Sequence, residues 1–137
     1  MADAGSLGGG LPADVAQLIA DRVESMEQVE ILRFVRAEDA RAWRADEIAL
    51  KLRIDPGSAA RNVAALAERG LLSADAGPPP TYRYAPATAA LRDAVDGLAE
   101  AYNSRPVTLV KAIYDRPAPA LKSFADAFRI RKPEGGA

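Results

Sequence analysis

Three polar side chains follow a strong helix-start signal near the middle of the chain. Ser58, Arg61 and Asn62 come shortly after Asp55-Pro56, where the aspartate is a natural N-cap and the proline suits the first helical position. A guanidinium can donate two hydrogen bonds to guanine, a carboxamide can pair with adenine in the same way, and a hydroxyl can contact a base or a phosphate. The chemistry that these side chains offer is recognition of base edges by hydrogen bonding.

The helix that carries these side chains is predicted over residues 56–69, and Gly70, which tolerates a left-handed backbone, ends it. Its predicted inward face is apolar and consists of Ala60, Val63, Leu66 and Ala67. Its predicted outward face consists of Gly57, Ser58, Arg61, Asn62 and Ala65. Plainer interpretations stand beside recognition: Ser58 and Asn62 as ordinary solvated surface, and Arg61 paired with Asp55 or Asp75.

Four further cations are candidates for holding a nucleic-acid backbone: Arg44, Lys51, Arg53 and Arg83. The charge balance argues against strong binding by a single copy, because residues 26–86 contain nine basic and nine acidic side chains. Phosphate contacts supply much of the affinity for DNA, so a neutral domain is expected to need a second copy to double them.

The composition argues against an enzyme. The chain has no cysteine and no histidine, which removes thiolate nucleophiles, the common zinc sites and the usual general base near neutral pH. No glycine-rich phosphate loop follows a strand, and no metal-ligand cluster is apparent. We therefore predict no catalytic residues, no bound metal and no cofactor.

The elements that must position the candidate residues follow from periodicity and caps. Two helices, or one helix broken near Ser25, precede a short strand at residues 42–44, in which Trp43 is predicted to be core. A helix at residues 45–52, the helix at 56–69 and a hairpin formed by residues 71–73 and 81–84 come next. Thr88 and Pro106 then begin two further helices.

This order resembles the winged helix-turn-helix of bacterial regulators, broadly in the style of the MarR group. The resemblance covers roughly residues 29–86, and its most specific marks are Trp43-Arg44-Ala45-Asp46-Glu47-Ile48-Ala49, Asp55-Pro56 and Leu66-Ala67-Glu68-Arg69-Gly70-Leu71-Leu72. It implies a mainly α fold with a small β-hairpin, a winged helix-turn-helix with additional N- and C-terminal helices. The Phe124-Ala125-Asp126-Ala127-Phe128-Arg129 segment also resembles the tail of a largely uncharacterised group of winged-helix proteins, which assigns no activity.

The flanking helices are candidates for contact with a second copy or another protein. The predicted interface residues are Leu91, Val95, Leu98, Tyr102, Phe124 and Phe128, with Val107, Val110, Ile113 and Tyr114 adding to the apolar surface. Packing of these helices on their own chain is the open alternative. The last helix is amphipathic and basic, so it is also a candidate for a protein partner, DNA phosphates or an anionic membrane surface.

The predicted organisation is a flexible leader at residues 1–10, a winged helix-turn-helix domain at 11–86, a helical extension at 87–132 and a tail at 133–137. No apolar run approaches the roughly 20 residues that span a bilayer, and no secretory segment is apparent, so a cytoplasmic protein without integral membrane insertion is expected. The favoured function is a homodimeric transcriptional regulator that reads double-stranded DNA with the helix at 56–69. The alternative is a protein-interaction module that docks through the hairpin or the C-terminal aromatic face.

Overall fold

The computed structural model describes residues 10–116, which form six helices and three short strands. The helices are α1 (Ala13–Asp21), α2 (Met26–Ala37), α3 (Ala45–Leu52), α4 (Pro56–Glu68), α5 (Ala89–Ser104) and α6 (Pro106–Asp115). The strands are β1 (Trp43–Arg44), β2 (Leu72–Asp75) and β3 (Thr81–Tyr84). The predictions for residues 1–9 and 117–137, among them Phe124 and Phe128, lie outside the described residues.

The order α2, β1, α3, α4, β2, β3 is that of a winged helix-turn-helix, as the sequence predicts. The three strands form one antiparallel sheet in the order β1-β3-β2, with Trp43 opposite Tyr82 and Leu72 opposite Tyr84. The hairpin of β2 and β3 is the wing, and α3 and α4 are the paired helices. The helices α1, α5 and α6 are the additional elements at the two ends of this domain.

Local side-chain signals set the helix ends. The side chains of Ser25, Asp55 and Thr88 accept hydrogen bonds from backbone N–H groups in the first turns of α2, α4 and α5. Gly70 follows α4 with a φ of +83°, a left-handed conformation that glycine adopts without a steric penalty. Leu71 N–H then bonds Leu66 C=O at 3.0 Å, which closes the end of α4.

The core of the winged domain lies between α2, α3, α4 and the sheet. Trp43 is 6% exposed, and its ring packs edge-on against Phe34 with the centroids 4.8 Å apart. Its indole N–H donates to Glu38 C=O at 3.3 Å, so the polar atom of this buried ring has a partner. The prediction that Trp43 is a core residue is confirmed.

A second layer is formed by α1, α5 and α6, and it takes up much of the predicted interface stripe. Val95 and Leu98 are each 1% exposed, whereas Leu91 and Tyr102 are half-buried. A Cβ at Gly97 would lie 2.7 Å from Val15 Cγ2, so α5 approaches α1 at the one point where α5 has no side chain. Packing on the same chain, the alternative left open above, is what the structure shows for Val95 and Leu98.

Each helix among residues 10–116 is too short or too polar to cross a lipid bilayer.

Candidate nucleic-acid interface

The inward face of α4 differs by one position from the prediction. Ala59, Val63 and Leu66 are buried, while Ala60 is exposed and Ala67 is half-buried. Both positions 59 and 60 are alanine, so the apolar pattern alone fits two helical phases that differ by about 100°. The assignment of Ala60 to the core was therefore wrong, and the outward face rotates with it.

Ser58 and Asn62 are turned towards α2, contrary to their predicted outward orientation. The Ser58 hydroxyl donates to Glu27 Oε1, and Asn62 Nδ2 donates to the same oxygen at 2.6 Å. Asn62 Oδ1 in turn accepts a hydrogen bond of 3.0 Å from Gln28 Nε2. We call Ser58 and Asn62 the inner polar face of α4, because their polar groups bond within the chain.

Gln28 is the buried centre of this contact and has an accessible surface of 0%. The side-chain oxygen of Gln28 accepts a hydrogen bond from Glu24 N–H at 2.9 Å. The backbone N–H of Gln28 donates to the Ser25 hydroxyl at 3.1 Å. A buried carboxamide is costly unless its donors and acceptors are paired, and Asn62 supplies the partner that α2 lacks. The inner polar face therefore holds the N-terminal half of α4 in position.

The exposed row of α4 consists of small residues around one long cation. We call this row the open face; it is formed by Gly57, Ala60, Arg61 and Ala64. Arg61 makes no hydrogen bond or ion pair with any other residue between 10 and 116, so pairing with Asp55 or Asp75 is not found there. A Cβ at Gly57 would lie 3.1 Å from Asp55 Oδ2 and 3.5 Å from Arg61 Nη1, so the Asp55 carboxylate and the Arg61 guanidinium both extend over the first turn, where position 57 carries no side chain.

The remaining candidate cations fall into two groups. Lys51 and Arg53 are exposed at the end of α3, directly before the turn into α4. Arg83 donates to Asp39 C=O at 3.4 Å and lies on β3, away from the wing tip. Lys51 and Arg53 are therefore the cations placed next to the N-terminal end of α4.

Arg44 belongs to an ion-pair cluster at the start of α3. Its Nε lies 3.0 Å from Asp46 Oδ1 and its Nη1 lies 3.5 Å from Glu47 Oε2. The hydrogen bond with Asp46 raises the pKa of Arg44 and lowers the pKa of Asp46, and the Arg44 N–H lowers the pKa of Glu47. The charge of Arg44 is thus offset by two carboxylates in the first turn of α3.

The C-terminal end of α4 is held by arginines rather than amides. Arg22 donates to Arg69 C=O, and Arg69 donates back to Arg22 C=O at 3.2 Å and to Glu24 at 3.2 Å. Arg116, after α6, donates to Ile19 C=O at 2.8 Å and lies 4.0 Å from the same Glu24 carboxylate. Both ends of α4 are consequently fastened to the segment around residues 22–28.

The wing tip is rich in proline and carries no cation. Residues 75–81 contain one aspartate, three prolines and no lysine or arginine. An open groove of about 290 Å³ separates this tip from α4, and it is lined by Arg44, Ala45, Asp46, Pro56, Ala60, Pro79, Pro80 and Tyr82. The surface next to the open face is thus hydrophobic on its wing side.

An exposed apolar patch lies on α6. Val107 is 79% exposed and Tyr114 is 78% exposed, although both are large apolar side chains. A shallow apolar groove of about 340 Å³ between Pro106, Val107, Val110 and Lys111 continues this surface. Ile113, predicted with them, is 5% exposed and packs inside the chain instead.

Among residues 10–116, no group of three acidic side chains converges in a way that would hold a metal ion.

The two residues that position α4 and that sequence reasoning missed are Glu27 and Gln28. Gln28 carried a usable signal, because helical spacing places it on the same face of α2 as Ile31, Leu32 and Val35. A polar side chain in that setting indicates a buried group that needs a partner.

Comparisons with known proteins give similarity at the level of overall shape. A mutant of MepR from S. aureus bound to an oligodeoxyribonucleotide is 12% identical, with a TM-score of 0.46 over 90% of this chain and 91% of that one. RV1404 from Mycobacterium tuberculosis is 21% identical, with a TM-score of 0.48 over 90% of this chain and 83% of that one. No protein-family model and no curated protein sequence matches the chain. Both scores lie below 0.5, so the fold assignment rests on the element order and strand pairing of this chain.

Proposed function

We propose that this protein is a DNA-binding transcriptional regulator that places α4 in the major groove. The observation that carries the proposal is the open face, a row of small residues with Arg61 as its one long side chain. A helix about 10–12 Å across fits a major groove about 12 Å wide, and small side chains let the helix backbone approach the bases closely. Arg61 lies in the N-terminal half of α4, the half that contacts base edges in helix-turn-helix proteins.

The backbone contacts in this proposal come mainly from Lys51 and Arg53. Both are exposed and lie at the end of α3, directly before the turn into α4 and next to the groove that the helix would enter. Arg44 and Arg83 remain weaker candidates, since Arg44 is paired with its own carboxylates and Arg83 bonds a backbone carbonyl. Ser58 and Asn62 would serve DNA binding indirectly, by holding α4 at its angle.

A second copy would provide the phosphate contacts that one copy lacks. We propose that two chains associate through the α6 patch, where Val107 and Tyr114 are largely exposed. Removing apolar surface from water contributes a free energy of about 25 cal/mol per Å², which favours covering this patch. Two reading helices would then face two half-sites, and the number of cations on the DNA would double.

The test of DNA binding is selection of duplexes from a randomised pool, followed by a salt titration of the preferred duplex. With Lys51 and Arg53 contacting phosphates from each of two copies, the slope of log K against log salt should be about −3.6. Arg61→Ala should weaken binding by about 1–3 kcal/mol if the contact with guanine is bidentate, and Arg92→Ala on α5 is the charge-matched control. Failure to select any sequence, or equal affinities for the two variants, would contradict the proposal.

The test of dimerisation is the molar mass in sedimentation equilibrium. Val107→Lys should shift the protein towards the monomer, because it places a charge in the apolar groove. The exposed Ala90→Lys on α5 is the control for added charge. A dimer that persists in Val107→Lys would contradict the use of this patch.

The wing supports a second candidate function, docking onto a protein. Its cation-free tip and the groove lined by Pro79, Pro80 and Tyr82 offer apolar surface in a place where DNA binding favours positive charge. In this case Pro79→Ser with Pro80→Ser should abolish capture of a defined partner, while Arg61→Ala should not. The double substitution Phe124→Ala with Phe128→Ala tests the C-terminal aromatic face in the same assay.

A further inference from the structure

The open face contains few groups that can form hydrogen bonds with bases. Within it, Arg61 is the one side chain that bears a polar group, since its other members are glycine and alanine. Asn62, the side chain suited to adenine, bonds Glu27 and Gln28 instead. A helix with this face has to obtain most of its sequence preference from contacts other than hydrogen bonds.

Ala60 and Ala64 offer such a contact at a suitable spacing. They lie four residues apart, about 6 Å along the helix axis. Base pairs succeed each other every 3.4 Å or so along DNA, so the two methyl groups match roughly two base-pair steps. The group in the major groove that an alanine methyl recognises is the C5-methyl of thymine.

The surroundings of Ala60 strengthen this match. Ala60 is exposed towards the groove that also contains Pro56, Tyr82 and Pro80. A thymine methyl placed against Ala60 would therefore meet further apolar surface and lose contact with water. Glu68, the next exposed residue of the row after Ala64, lies in the last turn of α4, at the end remote from the base-reading half.

We infer that α4 reads thymine methyl groups through Ala60 and Ala64, beside a guanine contacted by Arg61. This inference rests on the proposed function and adds the class of DNA sequence: thymine-containing sites with a neighbouring guanine. In this inference, much of the sequence specificity comes from contacts between alanine methyl groups and thymine methyl groups, and not from charged side chains. Ser58 and Asn62 contribute no base contact.

The test replaces thymine by deoxyuridine in the selected duplex, one position at a time, and leaves the protein unchanged. Deoxyuridine keeps every hydrogen-bonding group and removes only the methyl. Affinity of the full chain should fall about three- to fivefold at each thymine that contacts an alanine, from the burial of one methyl group. Unchanged affinity at every thymine of the site would overturn the inference.

Two variants assign the effect to the open face. In Ala60→Ser and Ala64→Ser the deoxyuridine penalty should disappear at one thymine of each half-site, a different one for each variant, because serine replaces the methyl contact with a polar one. Ala90→Ser, at an exposed position of α5, should retain both penalties. Penalties that persist in both variants would place the thymine contact elsewhere and reject the inference.

The inference and the proposed function fail in different ways. If the randomised pool yields no preferred duplex, DNA reading by α4 fails altogether. If it yields a preferred duplex that Arg61→Ala weakens but deoxyuridine does not, the proposed function stands and the thymine contact is wrong.

Discussion

On α4, the polar side chains suited to contacting bases pack within the chain, whereas the side left exposed consists mostly of small residues. The inner polar face, Ser58 and Asn62, bonds Glu27 and Gln28 of α2 and is part of the packing. The open face, with Arg61 among small residues, is left to solvent. The comparison teaches that polar side chains in a reading helix can belong to the scaffold, because a buried amide elsewhere in the fold requires them.

This division separates stability from recognition. A substitution on the inner polar face should act on the free energy of unfolding, while a substitution on the open face should act on the affinity for DNA. Substitutions on each face can break that separation, and the largest effect is expected at the fully buried Gln28.

Gln28→Ala is expected to have the largest effect, a loss of about 2–3 kcal/mol in the free energy of unfolding. It leaves Glu24 N–H and Asn62 Oδ1 without their partners in a part-buried setting. Urea unfolding followed by circular dichroism measures the change. The matched control is Gln17→Ala, which removes one exposed i,i+4 hydrogen bond to Asp21 and should cost less than about 0.5 kcal/mol. Equal losses for the two glutamines would refute the buried contact.

Asn62→Ala and Arg61→Ala are expected to behave oppositely although the residues are adjacent. Asn62→Ala should lower the free energy of unfolding by about 1–2 kcal/mol, because Gln28 Nε2 and Glu27 each lose a partner. Arg61→Ala should change it by less than about 0.5 kcal/mol and act on duplex affinity alone. Asn103→Ala, at the exposed end of α5, is the control for asparagine. A stability loss in Arg61→Ala equal to that in Asn62→Ala would remove the distinction between the two faces.

The elements of the fold could be predicted because their signals are local. Asp55-Pro56 begins α4, and Gly70 ends it, through interactions within a few residues of each position. The short strand around Trp43 and the hairpin were also predictable from composition and turns. These features depend on neighbours in the sequence, which the sequence displays directly.

The orientation of α4 could not be predicted in the same way. The partners of Ser58 and Asn62 lie 31 and 35 residues earlier, so no local pattern reports them. The adjacent alanines at 59 and 60 left the helical phase ambiguous, which placed Ala60 in the core and Asn62 outside. Gln28 was the one clue, since a glutamine on the same helical face as Ile31, Leu32 and Val35 implied a buried partner elsewhere in the chain.

Glu27→Gln is expected to have a moderate effect, a loss of about 0.5–1 kcal/mol. The substitution retains an oxygen that accepts from Ser58 and Asn62 but removes its charge, and charge-assisted hydrogen bonds are roughly twice as strong as neutral ones. Urea unfolding of Glu27→Gln and Glu27→Ala together measures the contribution of the charge. A loss in Glu27→Gln as large as that in Glu27→Ala would mean that the remaining oxygen contributes nothing.

The smallest effect concerns a different contact of α2, in which the carboxylate of Glu30 holds α5 instead of α4. Tyr102 donates a hydrogen bond of 2.5 Å to Glu30, and this bond, with burial and the Glu30 charge, raises the pKa of Tyr102. A raised folded-state pKa means that the contact stabilises the fold fully below the unfolded value of about 10 and is lost as the pH rises through the folded value. Between pH 8 and pH 10.5 the urea midpoint should therefore fall less in Tyr102→Phe than in the unsubstituted protein.

Tyr114→Phe is the matched control for loss of a tyrosine hydroxyl, because Tyr114 is 78% exposed, and it should leave the urea midpoint at pH 8 unchanged. Burial also raises the pKa of Tyr84. Its contribution to the pH dependence of stability is the same in both variants, because both retain Tyr84. The carboxamide of Asn62 does not titrate in this range, so the stability lost in Asn62→Ala should be the same at both pH values. Alkaline pH could instead weaken the contact of α4 with α2 as much as the contact of α5 with α2. The two contacts would then form one cooperative unit, and the inner polar face would not act independently of α5.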